Sequence, residues 1–288
     1  MANQLRKDPT RTTLIRRSFE AQIKRRFARI KKLVRDLIVV DDVFGMEEST
    51  RLELNQNAQK GEWRFLTDAA KVKQFRRWLQ TQVDSEILSV DGTGKPWTNT
   101  YIHSSYKKAM VRAYGDVNPD LLADKMEYYA GGKDQFINSA FNAPETVSKL
   151  ELLYTRAYDQ LKDITTQMGQ QMSRILTDGI AHGKGIAEIA RNLRDNIDKI
   201  TDKRARVLAR TEVINAHAEG ALDGLERLGV KEVEALVEFS TAGDDLVCPQ
   251  CMDLEGTVYT IEEARGLIPV HPNCRCAWIP AGKIKKAA

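Results

Sequence analysis

Cysteine is scarce in this chain: four residues in 288, none before position 248. Long apolar runs are missing as well. The longest in the first forty residues is Leu37-Ile38-Val39-Val40, far below the roughly 20 residues that span a bilayer. Neither a secretory signal nor a membrane anchor is therefore expected. No internal repeat of solenoid length is visible, which excludes stacked-repeat architectures. A phosphate-cradling loop is also absent. Its nearest approach, Gly179 to Gly185, has three residues between its first two glycines, and Gly185 follows Lys184 where Ser or Thr is required. Gly183 and Gly185 read instead as the end of one helix and the entry to the next.

What is present describes a globular protein of two domains, with 42% hydrophobic and 29% charged residues. The net charge of +4 says little by itself, but its distribution is uneven. Residues 1–40 carry twelve Lys and Arg against Asp8, Glu20 and Asp36, a local +9 that leaves −5 for the remainder. In the same segment Ile15, Phe19, Ile23, Phe27, Ile30, Val34 and Leu37 recur every three or four residues, which predicts an amphipathic helix starting near Asp8-Pro9. Three readings fit a basic amphipathic helix: a solvated face over a packed stripe, a phosphate-contacting arm, or a membrane-surface helix.

Helical patterning continues through Gly61–Ile87, where Leu66, Ala69, Ala70, Phe75, Trp78 and Leu79 share one side, and through Trp97–Gly115. Ser89–Trp97 and Tyr129–Asp134 are loop chemistry. The longest period runs from Pro144 to Gly183 along Leu150, Leu153, Ala157, Leu161, Ile164, Met168, Met172 and Ile175, a helix-bundle core stripe. Two further helices follow, the second ending at Gly229. From Val233 the texture changes. Residues 233–240 alternate and are rich in Val and Phe, Thr241–Asp245 is a turn, and short strands are expected at 256–261 and 276–279. The fold class is thus mainly α with a small C-terminal α+β module. Its expected organisation is a basic arm over 1–44, a helical body over 45–200, the module over 201–282 and a basic tail over 283–288.

All four cysteines fall in that module, as Cys248-Pro249-Gln250-Cys251 and His271-Pro272-Asn273-Cys274-Arg275-Cys276. A two-residue gap lets both thiolates of a tight knuckle face one tetrahedral ion, and a distant second pair closes the shell. Cys248, Cys251 and Cys274 are the favoured ligands, with zinc the expected ion and a structural role. The fourth position is open between His271 and Cys276. Two disulfides or buried free thiols are the alternatives. A catalytic reading is also available, since His217-Ala218-Glu219 followed by a Cys-x-x-Cys outlines a zinc nucleobase deaminase. Against it, the proline lies inside the cysteine pair, His217 sits deep in a helix, and the His271–Cys276 motif has no role. His103 and His182 are lone residues, read as surface or loop histidines.

These residues together carry a resemblance. Ala209–Leu222, the strand ending near Phe239, the stretch Gly243–Ala264 around Cys248 and Cys251, and the stretch Gly266–Pro280 around His271–Cys276 resemble the Mu F-type head morphogenesis domain of tailed phages. The resemblance covers roughly residues 145–281 and is weaker upstream, over residues 95–110. On it, the family's motif residues are Arg210, Thr211, Glu212, Asp245, Cys248, Cys251, Gly256, His271, Pro272, Cys274, Arg275 and Cys276, with Phe239 where many relatives carry Trp.

It implies a minor head (minor capsid) protein: a non-enzymatic assembly factor inside the capsid, associated with the portal protein, with scaffold and capsid proteins as further partners. Its expected tasks are head morphogenesis and DNA packaging or delivery. It is expected in the virion and, during assembly, in the host cytoplasm, with no membrane partner. Only seven residues follow Ala281, which leaves no room for the toxin domain some relatives carry. A basic arm suits a protein beside packed duplex DNA, because phosphate neutralisation drives binding without sequence preference. Arg16, Arg17, Lys24, Arg25, Arg26, Lys31 and Lys32 are the expected DNA or portal contacts. Arg210 and Glu212 read as partners in a buried ion pair or as an unrecognised active site, and the structural reading is preferred because no nucleophile or second acid accompanies them. A free non-specific DNA-binding protein is the remaining alternative, as no base-reading motif is recognisable.

Overall fold

The computed structural model describes residues 8–41, 62–116, 131–228 and 236–281, with side chains from residue 69 onward in the second of these segments. The Leu66 side chain, Gly229, residues 233–235 and the tail 283–288 lie outside what is described. The elements are α1 (Thr13–Arg35, continued as one π-helical turn over Asp36–Val40), α2 (Glu62–Glu86), α3 (Asn99–Asp116), α4 (Gly132–Phe141), α5 (Pro144–Ala181), α6 (Ile186–Arg227), β1 (Val237–Ser240), α7 (Pro249–Leu254), β2 (Val258–Tyr259), α8 (Ile261–Ala264) and β3 (Ala277–Pro280). The strands form one antiparallel sheet of order β2-β1-β3. The mainly helical class with a small C-terminal α+β module is therefore what the chain adopts.

Helix α1 begins later than Asp8-Pro9 suggests. The Asp8 carboxylate instead reaches over the intervening residues to accept from the Thr13 backbone N–H at 2.9 Å, capping the helix from outside. Burial pushes the Asp8 pKa up, but hydrogen bonds from Thr13 and Thr10 and the charge of Arg16 outweigh it and hold the pKa below its usual value. The stripe is covered: Phe19, Ile23, Phe27, Ile30, Val34 and Ile38 are all buried. That removes the membrane-surface reading, which needs this face open. No helix among the described residues is long and apolar enough to cross a membrane.

Two details of the stripes differ from the sequence reading. Ile38 replaces Leu37 at the end of α1, and Leu176 replaces Ile175 at the end of α5. Both i+3 and i+4 neighbours lie close to one face, and a 3.6-residue turn drifts against any fixed spacing. In α2, Ala69 and Ala70 are exposed while Phe75, Leu79 and Val83, with Ile87 directly after the helix, are buried. Alanine is small and a strong helix former, so it marks a face less reliably than Phe or Leu.

The chain divides into two compact units. One comprises residues 21–96 and 158–205. In it, Asn196 Nδ2 donates to Gln171 Oε1 at 2.9 Å, tying α6 to α5. The Tyr158 hydroxyl donates to the Leu88 carbonyl, also at 2.9 Å. The other comprises residues 1–20, 97–157 and 206–288. There Phe19 stacks on Tyr101 with ring centroids 4.6 Å apart, and Ser105 Oγ donates to the Val213 carbonyl of α6 at 2.7 Å. Gly220 permits a close approach: a Cβ at that position would lie 2.5 Å from the Tyr106 carbonyl oxygen of α3.

Candidate metal centre

The second unit positions the Cys/His side chains. In β1, Phe239 pairs with Trp278 of β3, and Ser240 pairs with Ala277. The Trp278 ring packs edge-on against Phe239 and Tyr259, each with centroids 5.6 Å apart. This aromatic cluster covers the sheet and places Cys276 immediately before β3. On the other side, Gly256 takes φ +75°, a left-handed value that glycine adopts without strain, and its N–H donates to the Phe239 carbonyl at 2.9 Å. The turn through Gly256 fixes α7 against β1. Cys248 is the N-cap of α7: Pro249 follows it, and its Sγ accepts from the Cys251 N–H at 3.4 Å. A thiol used as the cap points back toward the helix entrance, where Cys251 also faces.

A polar clamp holds the segment that brings in the remaining ligands. Thr260 and Glu263 form a reciprocal capping box at α8. Directly after α8, Arg265 pairs with Glu219 at 3.2 Å, Asp223 at 2.8 Å and Glu226 at 2.5 Å, three acids spaced along one face of α6. Lys149 of α5 also reaches Asp223, at 2.5 Å, and the Tyr106 hydroxyl donates to the same carboxylate. Burial, reinforced by the Asp223 charge, pushes the Tyr106 pKa well up, so this phenol is a donor at any ordinary pH. Further on, the Asn273 N–H donates to Thr211 Oγ1 at 3.1 Å. Asn273 is left-handed at φ +69°, which Asn tolerates, and the Cys274 N–H closes a turn onto the His271 carbonyl at 3.1 Å.

The five predicted ligands converge as two overlapping triads. Cys248, Cys251 and His271 form one and Cys251, Cys274 and Cys276 the other, with ligand atoms inside each triad within 4.8 Å. His271 Nε2 stands 3.1 Å from Cys248 Sγ and 3.3 Å from Cys251 Sγ, and Cys251 Sγ stands 4.0 Å from Cys274 Sγ. Zinc bond lengths in a tetrahedron separate ligand atoms by roughly 3.5–3.8 Å; the spacings fall a few tenths of an ångström to either side of that range, and the two triads could hold a metal ion. His271 Nδ1 lies 2.8 Å from the Pro272 carbonyl; donation there leaves the Nε2 lone pair facing the two sulfurs. All four thiols are free rather than paired as disulfides.

The protonation chemistry is that of a shared site. The Cys251 N–H stabilises the Cys248 thiolate and lowers its pKa, while the Cys276 thiol stabilises the Cys274 thiolate, holding it down at about 5. Burial pushes Cys251 up to about 12, and the hydrogen bond to Cys274 together with burial pushes Cys276 up. Burial lowers His271, but the Pro272 carbonyl and the neighbouring Cys274 and Cys248 charges outweigh it and raise the net value. A divalent ion would replace the shared protons and ionise all its thiol ligands.

The deaminase arrangement is not assembled. His217 and Glu219 join neither triad; Glu219 is held by Arg265 and by the Gly266 N–H at 3.3 Å, and His217 is fully buried near Arg112, Asp8 and Lys108. The expected Arg210–Glu212 pair is also corrected. Residues two apart on a helix do not face one another; Glu212 is buried and meets Arg156 at 3.1 Å. Burial raises the Glu212 pKa against the opposing pull of Arg156. Of the other motif residues, Asp245 is exposed, while its neighbour Asp244 takes Arg275 in a two-pronged pair at 2.5 and 2.6 Å. Arg265, Lys149, Tyr106 and Asp223 were not singled out from sequence. The signal available was the acidic row Glu219, Asp223 and Glu226, which requires a cation.

Among the basic arm residues, Arg16 pairs with Asp8 at 3.1 Å, Lys24 with Asp202 at 3.4 Å and Lys31 with Asp198 at 2.8 Å. Arg26 donates to the Glu86 carbonyl at 2.6 Å and to Ser89 Oγ at 2.7 Å. Arg17, Arg25 and Lys32 are exposed.

Residues 170–279 match the family model described as phage Mu protein F like protein. That segment is similar to the Mu F-like family, as its motifs indicate. No curated protein and no solved structure matches the chain significantly.

Proposed function

We propose that this protein is a minor head protein of a tailed phage, portal-associated inside the capsid, acting in head morphogenesis and in DNA packaging or delivery. The observation that carries the reading is that the Mu F-like segment contains both Cys/His triads. Zinc acts there as a structural staple, held by Cys248, Cys251 and Cys274 with His271 or Cys276. The module buries few large side chains around its short strands, and a bound ion adds folding free energy where a core of that size supplies little. The protein has no catalytic activity of its own.

Double-stranded DNA, contacted without sequence preference, is the second partner of this reading. Arg17, Arg25 and Lys32 present exposed charge along α1. In the same unit as Arg25 and Lys32, the side chains of Lys31, Lys32, Arg35, Arg191 and Arg194 line a groove of about 470 Å³. Such a concentration of cations favours phosphate contact with counterion release.

The test is quantitative mass spectrometry of procapsids and DNA-filled particles from the source phage, with the portal subunit as internal standard. A few copies per head are expected in both. Absence from both particles would overturn the proposal.

A further inference from the structure

Four guanidinium groups gather in the unit that holds the metal centre. Arg206 and Arg210 lie one turn apart on α6, and Arg16 and Glu20 one turn apart on α1. Arg206 Nε meets Glu20 Oε1 at 3.5 Å, which sets these turns side by side and brings Arg16 near Arg210. The Asn273–Thr211 hydrogen bond draws in a third segment at the residue after Arg210, and Arg275 follows two residues beyond Asn273. After burial, the charges of Arg16, Arg275 and Arg206 are the main causes of the lowered pKa of the Arg210 guanidinium, outweighing the opposing charge of Glu20.

The acids present do not balance this cluster. Asp8 serves Arg16, Glu20 serves Arg206 and Asp244 serves Arg275. Arg210 has no hydrogen-bond or ion-pair partner among the described residues, and its Nε is buried without an acceptor; the Arg16 Nε is likewise buried and unsatisfied. A buried donor without an acceptor is costly, and more so when it is charged. The Arg206 side chain is 59% exposed, so the cluster is open to solvent on that side.

We propose that Arg16, Arg206, Arg210 and Arg275 form a binding site for one oxyanion of the phosphate class. Guanidinium groups carried on α1, α6 and the segment before β3 can offer several donors to one tetrahedral group, whose acceptor oxygens take more of them than a planar carboxylate does. A free phosphate group and a backbone phosphodiester share this chemistry. The site stands on its own geometry and does not depend on the portal or DNA reading.

The test is calorimetric titration of the full chain with inorganic phosphate at constant ionic strength, with thermal unfolding in parallel. Wild type is expected to bind phosphate saturably and to gain Tm. Arg210→Gln should weaken binding roughly ten- to a hundredfold, as for a lost charge-assisted hydrogen bond. Without phosphate this variant should unfold no earlier than wild type, because the repulsion from Arg16, Arg275 and Arg206 that is relieved outranks the attraction of Glu20 that is lost. Arg206→Gln, at an exposed position, serves as a second variant that keeps the fold and should weaken binding less. Equal stabilisation by acetate, or wild-type phosphate affinity in Arg210→Gln, would overturn the proposal. A short duplex that displaces phosphate identifies the phosphodiester as the source, and phosphate retained under saturating duplex identifies a free phosphate group.

Discussion

Cys251 Sγ stands 3.3 Å from His271 Nε2, although the two ligands come from separate turns. Cys251 is also the member common to both triads. Cys251→Ser is therefore expected to abolish metal binding, whereas Cys248→Ser and Cys276→Ser, each breaking one triad, should retain weakened binding. Cobalt substitution followed by thiolate-to-metal charge-transfer absorbance would rank the three; equal retention in all of them would refute a shared vertex at Cys251.

Arg265 ties the ligand-bearing segment to α6 through Glu219, Asp223 and Glu226. Its removal leaves those carboxylates facing one another without the cation they share. Because the Arg265 side chain is 28% exposed, the expected loss in Arg265→Gln is about 2 kcal/mol, below the ~3–5 kcal/mol of fully buried pairs. Chemical denaturation would measure it. The loss should shrink in an Asp223→Asn background, since one of the stranded charges is gone.

The interface between α3 and α6 has no room at Gly220. In Gly220→Ala the new methyl would meet the Tyr106 carbonyl at 2.5 Å, and overpacking of this kind costs about 1–3 kcal/mol. A stability equal to wild type would mean that the two helices part easily there.

His217 is fully buried, and burial drives its pKa down to about 3. Between the ordinary value of 6.5 and about 3 the unfolded chain binds a proton that the folded chain does not, so stability rises with pH and is lost on acidification through that window. The slope from this one group is at most ~1.4 kcal/mol per pH unit. His217→Leu should flatten the wild-type slope between pH 6.5 and 5, above the range where Asp8 contributes. An unchanged difference across that range would show that His217 is charged in the folded protein.

Much of this fold can be read from large apolar side chains. Phe19 to Val34 and Leu150 to Met172 keep helical spacing and are buried almost without exception. The Cys/His convergence is legible too, because a two-residue gap constrains both thiols to one side of a turn. Less legible was the pairing of charges. Glu212 meets Arg156 across 56 residues rather than Arg210 beside it, and Arg275 is taken by Asp244, which the sequence did not mark. Sequence spacing gives the faces of a single helix; which distant element covers a face is decided by tertiary packing. The same holds for half of the basic arm, where Lys24 and Lys31 look free along the sequence but meet Asp202 and Asp198 on α6.

The exposed part of that arm carries the DNA prediction. Charge reversal of Arg17, Arg25 and Lys32 together should weaken binding to unrelated duplexes equally and lower the salt slope by roughly 0.9 for each phosphate that is no longer neutralised. A salt titration on two unrelated sequences is the check, and unchanged affinity and slope would remove α1 from the interface.

The most direct test of the metal-stapled Mu F-like module is native mass spectrometry with elemental analysis on the full chain, purified without chelator. One zinc per chain is expected, with the cysteine ligands protected from alkylation until the ion is stripped and Tm falling on its removal. A metal-free chain of the same Tm, with all four thiols freely alkylated or joined as disulfides, would contradict it.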